Sequence, residues 1–289
     1  MAKIKICGLF READLDFANE AGPDFIGFVF AESRRRVTFA DAARLRSRLR
    51  EGIVPVGVFA DARPEEIAAL YRDGLIGMAQ LHGSENAAYI RRLKTLSASE
   101  ARPPVPVIKT LRMGGAGGDE EEKKKNNHRE HREENHGGCF GEEEQKNNNH
   151  REHRVHGEGD DGVDGSVMEA ADYLLFDSGA GSGKSFDWNL LNTQLTFFGG
   201  MAEDLPLGKA GDKGGPDKMF PPVKKSMESG PPSSFCIPWF LAGGIDCGNM
   251  AEALALGPFG IDVSSGAETG GVKDREKMIA LVERVRRGL

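Results

Sequence analysis

A cysteine at position 7, an aspartate at 177 and two glycine-rich turns near the C-terminus are the groups whose types and surroundings suit chemistry. Cys7 closes Lys5-Ile6-Cys7-Gly8, and Asp177 ends Tyr173-Leu174-Leu175-Phe176, an apolar run without another charge. The turns lie in Leu241-Ala242-Gly243-Gly244-Ile245 and Asp262-Val263-Ser264-Ser265-Gly266. A thiol, with an ordinary pKa near ~8.5, becomes a base once its surroundings partly ionise it. A carboxylate at the end of a buried strand is costly unless it is capped, paired or used, and partial desolvation raises its pKa toward that of a general acid. Turn glycines let backbone N–H groups approach an anion, and a following helix adds a favourable dipole. Each group also has a plain structural reading: a packed thiol, a turn cap, ordinary turns. Taken together they imply proton transfer on a small phosphorylated substrate.

These groups need a scaffold that brings distant segments to one face. Outside two atypical stretches, the chain alternates short apolar runs with amphipathic ones. The pattern predicts strands at 4–7, 25–30, 54–59, 77–82, 105–110, 173–177, 238–241 and 259–263. It predicts helices at 12–21, 38–50, from Pro64 onward, at 85–96, 167–171, 188–198, 249–256 and 274–287, with Thr38 as a cap and Pro64 in a first turn. Eight strands, each followed by a helix, read as an α/β fold, a (β/α)8 TIM barrel. All four candidate segments are then strand-to-helix junctions, which such a barrel gathers at its C-terminal face. The turns after the seventh and eighth strands are the recurrent phosphate site of these barrels. An open doubly wound sheet is the alternative, but its fingerprint glycines are absent after the first strand.

The atypical stretches are residues 113–165, rich in Gly, Glu, Lys, Asn and His, and residues 200–234, rich in Gly, Pro, Lys and Ser. Asn-Asn-His-Arg-Glu-His-Arg occurs at 126–132 and again at 148–154. With little apolar surface to bury, both read as disordered low-complexity insertions in a single barrel domain spanning 1–289. The first would emerge beside the site and the second on the opposite face. The six histidines from His128 to His156 lack closed metal-ligand spacing, so they read as solvated filler and no metal site is expected.

Several lesser candidates surround the main ones. Arg34-Arg35-Arg36 follow the second strand, and one arginine at a barrel mouth can grip a carboxylate with two hydrogen bonds. His82 ends the fourth strand and suits a structural hydrogen bond at the mouth. Asp262 reads as support for the turn after the eighth strand, and Glu268 as the start of a helix. Gly179-Ala180-Gly181-Ser182-Gly183-Lys184 lacks full P-loop spacing and fits a lid better than a nucleotide site.

Composition sets outer limits. The chain has 289 residues, 39% apolar and 29% charged, with a formal charge of −7, which argues against general nucleic-acid binding. No run of about 18 apolar residues suits a membrane span. A strand pattern begins almost at Met1, leaving no room for a signal or transit peptide. The four cysteines, Cys7, Cys139, Cys236 and Cys247, show no paired spacing and read as reduced thiols. A cytoplasmic protein is the expectation, or a plastid one if a leader is missing from this chain.

The combined motifs resemble the phosphoribosylanthranilate isomerase family. The resemblance is carried by Lys5-Ile6-Cys7-Gly8, Gly27-Phe28-Val29-Phe30, residues 33–37, Val56-Gly57-Val58-Phe59 and Gln80-Leu81-His82-Gly83. It continues in residues 174–177, residues 181–188 (Gly-Ser-Gly-Lys-Ser-Phe-Asp-Trp), residues 241–245 and residues 262–266. These occur in the family's order and reach nearly every strand. Phe10 and Arg34 depart from its usual pattern.

The resemblance implies an Amadori rearrangement in tryptophan biosynthesis, with Asp177 as general acid and Cys7 as general base. It implies Arg35 on the anthranilate carboxylate and Gly243, Gly244, Ser265 and Gly266 on the phosphate. Asp262, Ser264 and His82 complete the expected substrate-binding set. No cofactor is implied, and the expected partners are a small phosphorylated substrate and, beyond it, other enzymes of the same pathway. The related histidine-pathway isomerase is the nearest alternative, disfavoured because it is expected to use two carboxylates. A retired, non-catalytic barrel is the alternative of another class.

Overall fold

A computed structural model describes residues 1–112, 165–177 and 237–289. The chain divides into two units, one of Met1–Met113 with Val163–Leu289 and one of Gly114–Gly162. The described residues all belong to the first. The expected lid at 179–184, the helix at 188–198, the clustered histidines, Cys139, Cys236 and nearly all of both atypical stretches lie outside them.

Eight parallel strands close into a barrel in sequence order. They are β1 (Lys3–Cys7), β2 (Phe25–Val29), β3 (Val54–Phe59), β4 (Met78–Leu81), β5 (Val107–Arg112), β6 (Tyr173–Asp177), β7 (Trp239–Ala242) and β8 (Gly260–Val263). The described helices are α1 (Glu12–Ala21), α2 (Phe39–Arg46), α3 (Pro64–Arg72), α4 (Ala87–Ser97), α5 (Gly165–Ala170), α6 (Met250–Ala255) and α7 (Arg275–Arg287). After β8 come a 3₁₀ turn (Ser265–Ala267) and a small hairpin, β9 (Glu268–Thr269) with β10 (Val272–Lys273).

Local chemistry explains most boundaries. Thr38 caps α2 by accepting from the Asp41 N–H at 3.1 Å, while Asp41 returns a bond to the Thr38 N–H. Pro64 occupies the first turn of α3, where its missing N–H is harmless. Asn86 and Asp274 cap α4 and α7 through their side chains. Gly22 and Gly288 end α1 and α7 in the left-handed conformation. The expected helix at 38–50 stops at Arg46, and the expected strand at 105–110 is displaced to Val107–Arg112.

Alternation along the strands sorts side chains into two cores. Ile4, Ile6, Ile26, Phe28, Leu174, Phe176, Leu241, Ile261 and Val263 face outward and pack under the helices. Phe25, Val56, Met78, Ile108, Tyr173, Leu175 and Phe240 fill the barrel interior. The Phe25 and Phe240 rings meet edge to face, with centroids 5.6 Å apart. Lys5, Cys7, Gln80, Thr110, Asp177 and Asp262 share this inward face by register: Lys5 lies opposite both Phe25 and Asp262, and Cys7 opposite Gly27.

Candidate active site

Cys7 lies at the C-terminal end of β1 and is 8% exposed. Its neighbour on β2 is Gly27, and a Cβ at that position would stand 2.7 Å from the Cys7 Sγ. Only glycine leaves room for the thiol here. Burial pushes the Cys7 pKa up, and the nearby Asp262 carboxylate adds to this, while the Lys5 and Lys273 ammonium groups oppose it. The resting group is therefore a thiol whose ionisation depends on two lysines.

Lys5 is fully buried in the same wall and donates to both oxygens of Asp262 at 3.0 Å. Burial alone would lower its pKa, but Asp262 and Cys7 outweigh it and leave Lys5 raised. Lys5 thus keeps its charge inside the barrel, directly beneath the thiol. Asp262, expected to support the turn after β8, instead has both carboxylate oxygens on Lys5. Lys5 belongs to the motif around Cys7, yet its position in that motif does not by itself reveal this role. A clue existed: it occupies the inward position between Ile4 and Ile6, where an apolar residue is normal.

Asp177 ends β6, with the His82 Nε2 atom 3.7 Å from its Oδ2. Both side chains are about one-quarter exposed, at 24% and 26%, so this wall is wetter than the Cys7 wall. Burial lowers the His82 pKa and the positive charges of Arg112 and Lys5 lower it further, against the pull of Asp177. His82 is accordingly a neutral imidazole near pH 7. Below it, Gln80 donates to the Thr110 hydroxyl at 3.3 Å within the barrel.

The turns after β7 and β8 meet directly. Gly243 and Gly244 take positive φ values of 95° and 63°. A Cβ at Gly266 would overlap the Ile245 carbonyl oxygen, so the two glycine turns pack backbone to backbone. The Ser264 hydroxyl donates to the Cys7 carbonyl at 3.3 Å, tying this corner to β1. Ser265 begins the 3₁₀ turn rather than a longer helix, so the favourable dipole expected from a following helix is small here.

Arg35 lies on the same side as Cys7, its stem passing over Gly8, where a Cβ would overlap the Arg35 Cδ. Its Nε and Nη2 donate to Glu268 at 2.6 and 2.9 Å. Arg34 also donates to Glu268, at 2.8 Å, while Arg36 is turned toward Glu32. The expectation that Glu268 merely starts a helix is corrected: it opens the β9–β10 hairpin, is buried, and pairs with three cations including Lys273 at 2.7 Å. Sequence reasoning marks Glu268 only as a helix start and does not single out Lys273, because nothing local marks two surface-type residues five positions apart as a buried pair.

Among the described residues there is no group of three or more His, Cys, Asp or Glu side chains that could hold a metal ion. Also among them, no helix is long and apolar enough to cross a membrane. The face thus carries a buried thiol with two ammonium groups near it, a carboxyl beside a neutral imidazole, an arginine clamp and two glycine turns. Such a set can move a proton between carbon and solvent-side oxygen atoms in a substrate held by its anionic ends.

Comparisons with known proteins agree. The family model described as "N-(5'phosphoribosyl)anthranilate (PRA) isomerase" matches residues 4–114 and 223–284. A protein named N-(5'-phosphoribosyl)anthranilate isomerase from Endomicrobium trichonymphae is 32% identical over 292 residues, covering 99% of each chain. One of the same name from Caldanaerobacter subterraneus subsp. tengcongensis is 30% identical over 295 residues, covering 99% of this chain and 98% of its own. The crystal structure of the phosphoribosyl anthranilate isomerase from Thermus thermophilus superposes with a TM-score of 0.59 at 25% identity, covering 99% of this chain and 98% of its own. From its barrel, its mouth and these likenesses, the chain belongs to the N-(5'-phosphoribosyl)anthranilate isomerase family.

Proposed function

We propose that the protein converts N-(5′-phosphoribosyl)anthranilate to 1-(2-carboxyphenylamino)-1-deoxyribulose 5-phosphate in tryptophan biosynthesis, with Asp177 as general acid and Cys7 as general base. The single observation that carries this reading is a thiol and a carboxyl, distant in sequence, on the inward face of one barrel mouth. A related isomerase has been crystallised with reduced 1-(o-carboxyphenylamino)-1-deoxyribulose 5-phosphate, which fits a small phosphorylated substrate here.

Asp177 donates its proton to the furanose ring oxygen as the bond from that oxygen to C1′ breaks. The nitrogen lone pair then forms the C1′=N bond of a protonated Schiff base. Cys7, as thiolate, removes the proton from C2′. The C–H electrons form C1′=C2′ and the C=N pair returns to nitrogen, giving an enolamine. Loss of the O2′ proton and gain of one at C1′ yield the ketone. The substrate's own nitrogen is the electron sink, so the reaction needs no cofactor.

Each remaining residue has a part. Lys5 and Lys273 favour the thiolate against burial, and Asp262 holds Lys5 in place. His82, as a neutral ring beside Asp177, helps orient the acid. Arg35 takes the anthranilate carboxylate, while Gly243, Gly244, Ser264, Ser265 and Gly266 receive the phosphate on backbone N–H and hydroxyl groups. On this reading the low-complexity stretches are insertions in one barrel, which is supported by the pairing of β5 with β6 and of β6 with β7. A mechanism that needs a free thiol suits the reducing cytoplasm.

The test is turnover of freshly prepared phosphoribosylanthranilate by the purified chain, followed by loss of anthranilate fluorescence and identification of the ketose product. Rapid conversion supports the reading. A well-folded chain that leaves the substrate unchanged overturns it in favour of a retired barrel.

A further inference from the structure

Glu268 accepts four hydrogen bonds from three cationic side chains, and their geometry is asymmetric. Oε1 accepts from Arg35 Nε at 2.6 Å and Lys273 Nζ at 2.7 Å. Oε2 accepts from Arg35 Nη2 at 2.9 Å and Arg34 Nη2 at 2.8 Å. The Glu268 side chain is only 4% exposed, and Arg35 is 17% exposed. The hairpin that carries Glu268 is pinned from behind, where Lys277 Nζ donates to its carbonyl at 2.6 Å. On the other side, the Arg35 stem has a fixed track over Gly8, next to Cys7. Arg35 is thus gripped along its Nε–Nη2 edge and cannot turn that edge to a ligand without breaking two charged hydrogen bonds.

We propose that Glu268 is a positioning residue that presents the Nη1–Nη2 edge of Arg35 to the substrate and so selects an aromatic amine bearing an ortho-carboxylate. This rests on the isomerase reading above. A guanidinium has five N–H donors in a rigid plane, and a clamp on one edge leaves the end-on pair for a single carboxylate. Lys273 and Arg34 hold the clamp itself, since Glu268 alone could swing away from β2. The net positive charge of this cluster also favours an anionic group at the mouth.

The test uses the full-length chain and two probes: the reduced product analogue carrying the ortho-carboxylate, and its counterpart with an unsubstituted phenyl ring. Affinities are measured calorimetrically for the parent, Glu268→Gln, Glu268→Asp, Arg35→Ala and the Arg35→Ala/Glu268→Gln pair. Glu268→Asp keeps a charge for buried Lys273 but shortens the reach to Arg35, so it reports even where Glu268→Gln fails to fold. The expected result is a preference for the carboxylate probe that falls about tenfold in either Glu268 variant, with affinity for the phenyl probe unchanged. In the Arg35→Ala background, Glu268→Gln should cause no further loss of preference. An unchanged preference, or equal weakening of both probes, overturns the positioning role while leaving turnover by the parent intact. A parent that neither turns over phosphoribosylanthranilate nor binds either probe overturns the isomerase reading, and this inference with it.

Discussion

The barrel interior holds two regions built from the same strands. Toward the N-terminal end, Phe25, Val56, Met78, Ile108, Tyr173, Leu175 and Phe240 form an apolar floor. Toward the C-terminal end, Lys5, Cys7, Gln80, His82, Asp177 and Asp262 form a polar rim, partly paired and partly wet. Floor residues contribute hydrophobic burial, about 1.5–3 kcal/mol for each large side chain. The rim contributes little of that kind, because desolvating Lys5 and Asp262 offsets their attraction. Stability therefore lives in the floor and reactivity in the rim, and one strand can serve both, as β6 does with Leu175 and Asp177.

Substitutions at each level should separate these roles. The largest effect is expected at the rim's reacting groups. Cys7→Ala and Asp177→Asn should each lose about 10²- to 10⁴-fold in kcat while melting close to the parent. Next comes Lys5→Met, which leaves Asp262 charged and unpaired beside the thiol. It should cost about 3–5 kcal/mol in chemical denaturation and move the Cys7 limb of the pH–rate profile to higher pH, since a positive charge that favours the thiolate is gone. At the floor, Phe240→Ala should cost a comparable ~3–5 kcal/mol, yet leave kcat per folded molecule nearly unchanged. A loss of kcat there without a loss of stability would break the comparison.

A further effect depends on acid. Burial raises the Glu268 pKa, but hydrogen bonds from Arg35 and Lys273 outweigh it and hold the carboxyl below its ordinary value. Its contribution to stability is present above that ordinary value and is lost as pH falls through the depressed one. Denaturation midpoints of the parent and Glu268→Gln should therefore differ at neutral pH and converge in acid.

The same division explains what could be read from the chain. Strands written as short apolar runs, such as β3 and β6, and helices with a definite start, such as those after Thr38 and Pro64, are visible in local pattern. Cys7 stands out as a thiol closing the first strand before Gly8, and Asp177 because it breaks an apolar run at its end. The pairing of Lys5 with Asp262 spans 257 positions, and that of Arg35 with Glu268 spans 233, so only barrel closure brings them together. Glu268 and Lys273 look like surface residues because hairpin geometry, not composition, buries them. The end of an apolar strand pattern marks His82 as a mouth residue, but its position facing Asp177 depends on the neighbouring ends of β4, β5 and β6.

The account stands most directly on removal of the C2′ proton by the rim thiol. The decisive measurement is the single-turnover rate of the parent with substrate carrying hydrogen or deuterium at C2′, with Cys7→Ala alongside. The account predicts slower conversion of the deuterated substrate by the parent and no comparable conversion by the variant. Equal rates for the two substrates in the chemical step, with Cys7→Ala as fast as the parent, would contradict it.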